Sequence, residues 1–142
     1  NQNTMSKNKL PRKMSHFSTI KTKIKEKDFL LEALNLLGHE VKQDQELVVG
    51  GTHGHNHPVV QADICIATDI GFRWCNDAQA YELVTDIETW SLPTPPSRFI
   101  DKVTQQYAKE TILATIKDQG FTVEEETSKV DNSIELIVTR WS

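Results

Sequence analysis

Phe29-Leu30-Leu31-Glu32-Ala33-Leu34-Asn35-Leu36-Leu37-Gly38-His39-Glu40-Val41 and Ile112-Leu113-Ala114-Thr115-Ile116-Lys117-Asp118-Gln119-Gly120-Phe121-Thr122-Val123 make nearly the same statement twice. Each reads as an amphipathic helix that exits through a glycine straight into a strand. Glycine adopts the left-handed conformation just past a helix end without a Cβ clash, so such an exit is a packing instruction. Two of them predict a small α+β domain. They carry no chemistry.

Outward from these two exits the chain alternates between strand and turn. Ile20, Thr22 and Ile24 fall on one face of a first strand, with Thr19, Lys21 and Lys23 on the other, the signature of a sheet wet on one side. A helix follows over 27–37. Leu30, Ala33, Leu34 and Leu37 form its stripe, widened by Phe29 and Leu36. Short strands are predicted at 46–49, 59–67, 70–75 and 81–85. Their connections are too short for parallel crossovers, so they form an antiparallel meander. Thr94 suits a helix N-cap and Pro95 the first helical position, which starts a second helix over 95–119. On that helix Ile100, Val103, Tyr107 and Ala114 align, whereas Ile112 and Ile116 lie nearly opposite Val103. Either the helix bends near Lys109 or it buries two faces. A hairpin around Asp131-Asn132 closes the chain. The expected fold is a two-layer α+β sandwich, a mainly antiparallel sheet of about six strands with both helices on one face.

Length fits one domain over 14–142, preceded by a disordered or appended basic segment over 1–13. No run approaches the roughly 20 apolar residues of a membrane span. Cys65 and Cys75 read as two reduced thiols in strand-like segments. The net charge of −4 conceals an asymmetry. Lys7, Lys9, Arg12, Lys13, Lys21, Lys23 and Lys25 face no acid within the first 25 residues, leaving nine basic against 20 acidic residues in the remainder. The basic arm offers a contact for nucleic acid or an anionic lipid surface, but an acidic body repels phosphate and disfavours the first.

From Met14 onward the text resembles a known family. The stretch Met14-Ser15-His16-Phe17-Ser18-Thr19-Ile20-Lys21-Thr22 carries the resemblance. So do Asp69-Ile70-Gly71-Phe72-Arg73, Tyr81-Glu82-Leu83-Val84, Arg98-Phe99, Val103-Thr104-Gln105-Gln106-Tyr107-Ala108 and Gly120-Phe121-Thr122-Val123. Together they are similar, over 14–142 and in order, to the hypothetical chloroplast reading frame thirty-five family of plastids and cyanobacteria. The resemblance implies a photosynthetic host and a place in the plastid stroma or cyanobacterial cytoplasm. It implies no activity and supplies no catalytic or binding residues, because that family is uncharacterised. The loop Gly51-Thr52-His53-Gly54-His55-Asn56-His57 departs from the family's Arg-Gly character, so a role for these histidines would be special to this chain.

His53, His55 and His57 are the one arrangement that resembles metal chemistry. Alternate spacing in an extended segment puts three imidazoles on one side, suited to Zn, Ni or Cu. No acidic neighbour stands in the loop to orient them, and glycine-rich loops with histidines are usually just solvated loops. With a two-residue turn at Thr68-Asp69, Cys65 faces Phe72 and not Cys75, which argues against a disulfide. Asp63, Arg73, Glu82 and Asp86 read as charge pairs across a solvated sheet face. No Ser-His-Asp set, phosphate loop or carboxylate pair rises above background, so catalytic residues are absent from the expectation and an enzyme is not supported. Trp74 reads as core; Trp90 and Trp141 read either as caps on the sheet core or as contact residues.

The sequence thus points to a non-catalytic binding or assembly protein acting through a protein partner or self-association, with Trp90, Ile112, Ile116 and Trp141 at the contact. The alternative is a metal-binding protein or metalloenzyme built on the histidine loop.

Overall fold

Alternating patterns become strands close to where predicted, although the strand expected over 46–49 begins at Lys42. In the computed structural model, which describes residues 17–48, 59–128 and 134–140, β1 (Ser18–Lys21) leads to α1 (Lys27–Leu36), then β2 (Lys42–Val48). Next come β3 (Val59–Ala67), β4 (Ile70–Cys75), β5 (Ala80–Thr85), a 3₁₀ turn (Ile87–Thr89) and α2 (Pro96–Asp118). The chain closes with β6 (Phe121–Ser128) and β7 (Ile134–Arg140). Five strands pair antiparallel in the order β1-β5-β4-β3-β2, while β6 and β7 form a separate two-stranded sheet. The architecture is α+β with both helices against one face of the larger sheet, as the two exits predict.

Those exits are built alike. Gly38 has φ +93° and Gly120 φ +82°. At the first, the Gly38 N–H donates to the Asn35 carbonyl and the His39 N–H to the Leu34 carbonyl, each at 3.0 Å. That crossed pair ends α1 and aims the chain at β2. At the second, the Gly120 N–H donates to the Lys117 carbonyl at 3.0 Å.

The main core lies between helices and sheet. Leu30 and Leu34 of α1 and Phe99, Ile100 and Val103 of α2 meet Ile64, Ile70, Phe72, Tyr81 and Leu83, all buried. Leu36 does not widen the α1 stripe: it is 53% exposed. α1 has no side-chain cap at Glu26. Instead the Tyr107 hydroxyl, from α2, accepts from the Lys25 N–H at 3.2 Å and the Glu26 N–H at 3.1 Å. The Tyr107 ring also meets Phe29 edge-on at 6.4 Å.

Three local expectations are corrected. α2 starts one residue later than Thr94 and Pro95 suggest, with Pro95 as N-cap in extended conformation and Pro96 inside the first turn. Consecutive prolines make either frame sterically acceptable, and the later one prevails here. Cys65 lies opposite Gly71, and Ile64 opposite Phe72, because an irregularity between Cys65 and Ala67 shifts the register by one.

The third correction concerns the far face of the sheet, which is not simply wet. Residue pairing between β2 and β3 steps from Gln43↔Ile64 to Gln45↔Ala62, passing over Asp44 and Asp63. Asp44 has φ +56°, and the Asp63 carboxylate accepts from the Trp74 N–H at 2.7 Å. Beyond this point the outer half of the hairpin lies over β4. A Cβ added at Gly71 would stand 2.8 Å from the Ile64 carbonyl oxygen and 3.2 Å from both the Ala62 Cβ and the Leu47 Cδ1. The Val48 N–H donates to the Thr68 carbonyl at 2.9 Å. Leu47, Ala62, Cys65 and Val84 thereby form a second dry cluster with Phe17 and Val60 beside it.

Candidate functional site

Ordinary packing rules divide α2 into two environments. Its first turns bury Phe99, Ile100 and Val103. Past Tyr107 no residue of the helix is fully buried, and Ile112 is 44% exposed while Ile116 is half-buried. The helix runs unbroken through Lys109. Thr111 and Thr115 turn their hydroxyls back onto the Ala108 and Thr111 carbonyls at 2.8 and 3.0 Å, so neither offers its proton outward. The outer half therefore carries an apolar side chain in water beside a hairpin whose two strands pair only with each other among the described residues.

Trp90 is half-buried and lies against the main core. Its ring meets Phe99 edge-on at 5.6 Å, and its indole N–H donates to the Thr94 carbonyl at 2.7 Å. Both ends of the side chain are thus used within the molecule, bracing the proline-rich segment before α2. Trp74 is also half-buried, edge-on to Tyr81 at 5.1 Å, with its indole N–H on the Asn76 side chain at 3.1 Å. Trp141 and His53, His55 and His57 lie outside the described residues. Among the described residues no cluster of His, Cys, Asp and Glu could hold a metal ion.

The polar residues on the strands have separate explanations. Arg73 and Glu82 pair across β4 and β5, with the Arg73 Nε and Nη2 at 3.1 and 2.8 Å from the Glu82 Oε2. Asp86 is buried and its Oδ1 caps the 3₁₀ turn by accepting from the Glu88 N–H at 3.0 Å. Buried Asp69 accepts from the Thr89 hydroxyl at 2.5 Å. Asp86 thus holds turn backbone and Asp69 holds the same turn through the Thr89 side chain, a structural use of both acids. The Thr85 hydroxyl is fully buried and makes no hydrogen bond among the described residues.

Cys65 and Cys75 are free thiols. Burial pushes the Cys65 thiol up, with Asp63 and Asp44 adding to the effect and the Gln45 backbone opposing it. A thiol held protonated is a poor nucleophile. It lies in a cavity of about 260 Å³ bounded by Glu40, Lys42, Glu46 and Thr68, whose charges are of both signs.

A second cavity of about 260 Å³ opens where α1 ends and α2 begins. Leu37, Leu92, Pro93 and Phe99 form its apolar walls, and His39, Thr94 and Lys102 supply its polar rim. The Gly38 exit places His39 there. Its ring stands edge-on to Phe99 at 5.5 Å, and burial lowers its pKa from 6.5. Neutral imidazole offers one donor and one acceptor. Sequence reading passed over this site because its walls come from segments more than 50 residues apart. The local signal was present in His39 directly after a glycine exit and in Leu92-Pro93 before a helix start.

Residues 33–137 match a family described as Protein of unknown function (DUF1257). Curated relatives carry the name Uncharacterized protein ycf35. The protein of Pyropia yezoensis is 37% identical over 133 residues, covering 91% of this chain and 99% of the relative. That of Guillardia theta is 36% identical, covering 90% and 98%. That of Cyanophora paradoxa is 33% identical, again covering 90% and 98%. These relatives are plastid-encoded. No solved structure matches the chain.

Proposed function

The chain belongs to the DUF1257 family, whose members have no assigned activity, and from that premise we propose that it is a non-catalytic binding or assembly protein of the plastid or cyanobacterial cell. It acts through contact with another polypeptide or with its own copies, in the stroma or cytoplasm. The observation that carries the reading is Ile112, an isoleucine 44% exposed on the half of α2 that extends past the main core. Ile116 lies one turn further along the same helix, half-buried. Scattered exposed apolar residues are ordinary on protein surfaces. This one lies on a helix that contacts a two-stranded sheet, an element that is marginal in water unless something packs against it. Trp90 stands at the other end of α2 with its indole already engaged; Trp141 belongs to the proposal through sequence alone.

Native mass spectrometry on untagged protein from its own host tests the reading. A complex with a second polypeptide, or whole copies of the chain, is expected, and Ile112→Glu with Ile116→Glu is expected to abolish it while the protein stays folded by circular dichroism. A free monomer in every preparation would overturn the proposal. A monomer carrying one transition-metal ion, lost in His55→Ala, would favour the histidine loop instead.

A further inference from the structure

Most polar groups that line the molecule's interior are spoken for. Asp63, Asp69 and Asp86 hold backbone or hydroxyl donors, Glu82 holds Arg73, and both described tryptophan side chains donate to an oxygen. The cavity at the α1 exit is different. Neither the His39 imidazole nor the Lys102 ammonium has a hydrogen-bond or ion-pair partner among the described residues. Yet both border a concavity walled by Leu37, Leu92, Pro93 and Phe99. An apolar hollow with a few convergent polar groups is the usual form of a small-molecule site.

We infer that this cavity binds a small amphipathic carboxylate, its apolar body against Phe99 and Leu92 and its carboxylate between Lys102 and His39. The charge follows from the rim. Among the described residues Lys102 is the only charged side chain apart from the His39 imidazole that borders the cavity, and no carboxylate does so. The size follows from the volume, about 260 Å³, which holds a short acyl chain or a single ring and falls short of drug-sized sites at ~300 Å³ and above. The shape is formed in advance. Trp90 fixes the loop wall through the Thr94 carbonyl and fixes Phe99 by edge contact, so binding need not order the loop. The site is independent of the outer half of α2, and either reading can fail without the other.

The probes are hexanoate and its neutral counterpart hexanamide, titrated into the full-length protein and followed by NMR. Hexanoate is expected to give saturable shifts at His39, Thr94 and Phe99, and to raise the His39 pKa because an adjacent anion stabilises imidazolium. Lys102→Gln is expected to weaken hexanoate about fivefold, the scale of one solvent-exposed charge pair, and to leave hexanamide unchanged. Leu92→Trp, which fills the hollow, is expected to abolish both, with an otherwise unchanged spectrum confirming the fold. The inference is overturned if hexanoate gives no saturable shifts at those residues. It is equally overturned if hexanamide binds as tightly as hexanoate, or if Lys102→Gln leaves hexanoate unaffected.

Discussion

The two halves of α2 are made of similar residues and meet opposite fates. Phe99, Ile100 and Val103 are buried between α1 and the large sheet, whereas Ile112 is left substantially in water on the same unbroken helix. The divide falls near Tyr107, whose hydroxyl serves the start of α1. Burial here is decided by what the rest of the chain can supply opposite each turn. The five-stranded sheet backs the first half; among the described residues the helix otherwise meets β6 of the separate hairpin.

The largest expected effect tests the inner half. Phe99→Ala removes the ring shared by Phe72, His39 and Trp90 and should cost about 3–5 kcal/mol in urea unfolding. Next comes the sheet beneath it. Gly71→Ala should cost about 1–3 kcal/mol with an unchanged urea slope, because the new methyl meets a backbone carbonyl that cannot yield.

A smaller effect depends on pH. Burial lowers the His39 pKa below 6.5, so between the folded value and 6.5 the unfolded chain binds more protons than the folded one. Stability from this group is complete above 6.5 and is lost as pH falls through that window. Urea titrations should show a shallower fall between pH 7 and 5 in His39→Gln than in the unsubstituted protein, and NMR should place the His39 pKa below 6.5.

The smallest effect belongs to the outer half. Ile112→Ala should change monomer stability by no more than about 0.5 kcal/mol. A loss near that of Phe99→Ala would erase the distinction between the halves and place Ile112 in the core.

Much of this arrangement is legible in the sequence. Gly38 and Gly120 announce their positive φ through the company they keep, and the Ile70, Phe72, Trp74 alternation identifies the helix-facing side of β4. What escapes reading is whatever depends on a third dimension. Alternation specifies two faces of a strand but not that β2 and β3 fold over a glycine, which leaves Val84 and Cys65 dry. Asp63, Arg73, Glu82 and Asp86 read together as cross-strand charge pairs, and Arg73 with Glu82 is such a pair, yet Asp86 in the same set turns out to be a buried cap. The small cavity is the extreme case, since Leu37 and Lys102 have no sequence relation at all. Of the contact residues proposed from sequence, Ile112 and Ile116 share an exposed half-helix, and Trp90 serves a different end.

The Tyr107 hydroxyl also sets an order of events. The N–H groups of Lys25 and Glu26 find their acceptor 82 and 81 residues later in the chain. An isolated ten-residue helix is marginal in water, so on a growing chain α1 has no completed start until α2 has emerged and docked. Folding is accordingly a late, non-local event of high contact order. In pulsed hydrogen exchange, α1 and the first turns of α2 should gain protection together, with Tyr107→Phe delaying α1 and leaving the β3–β4–β5 meander on its own clock.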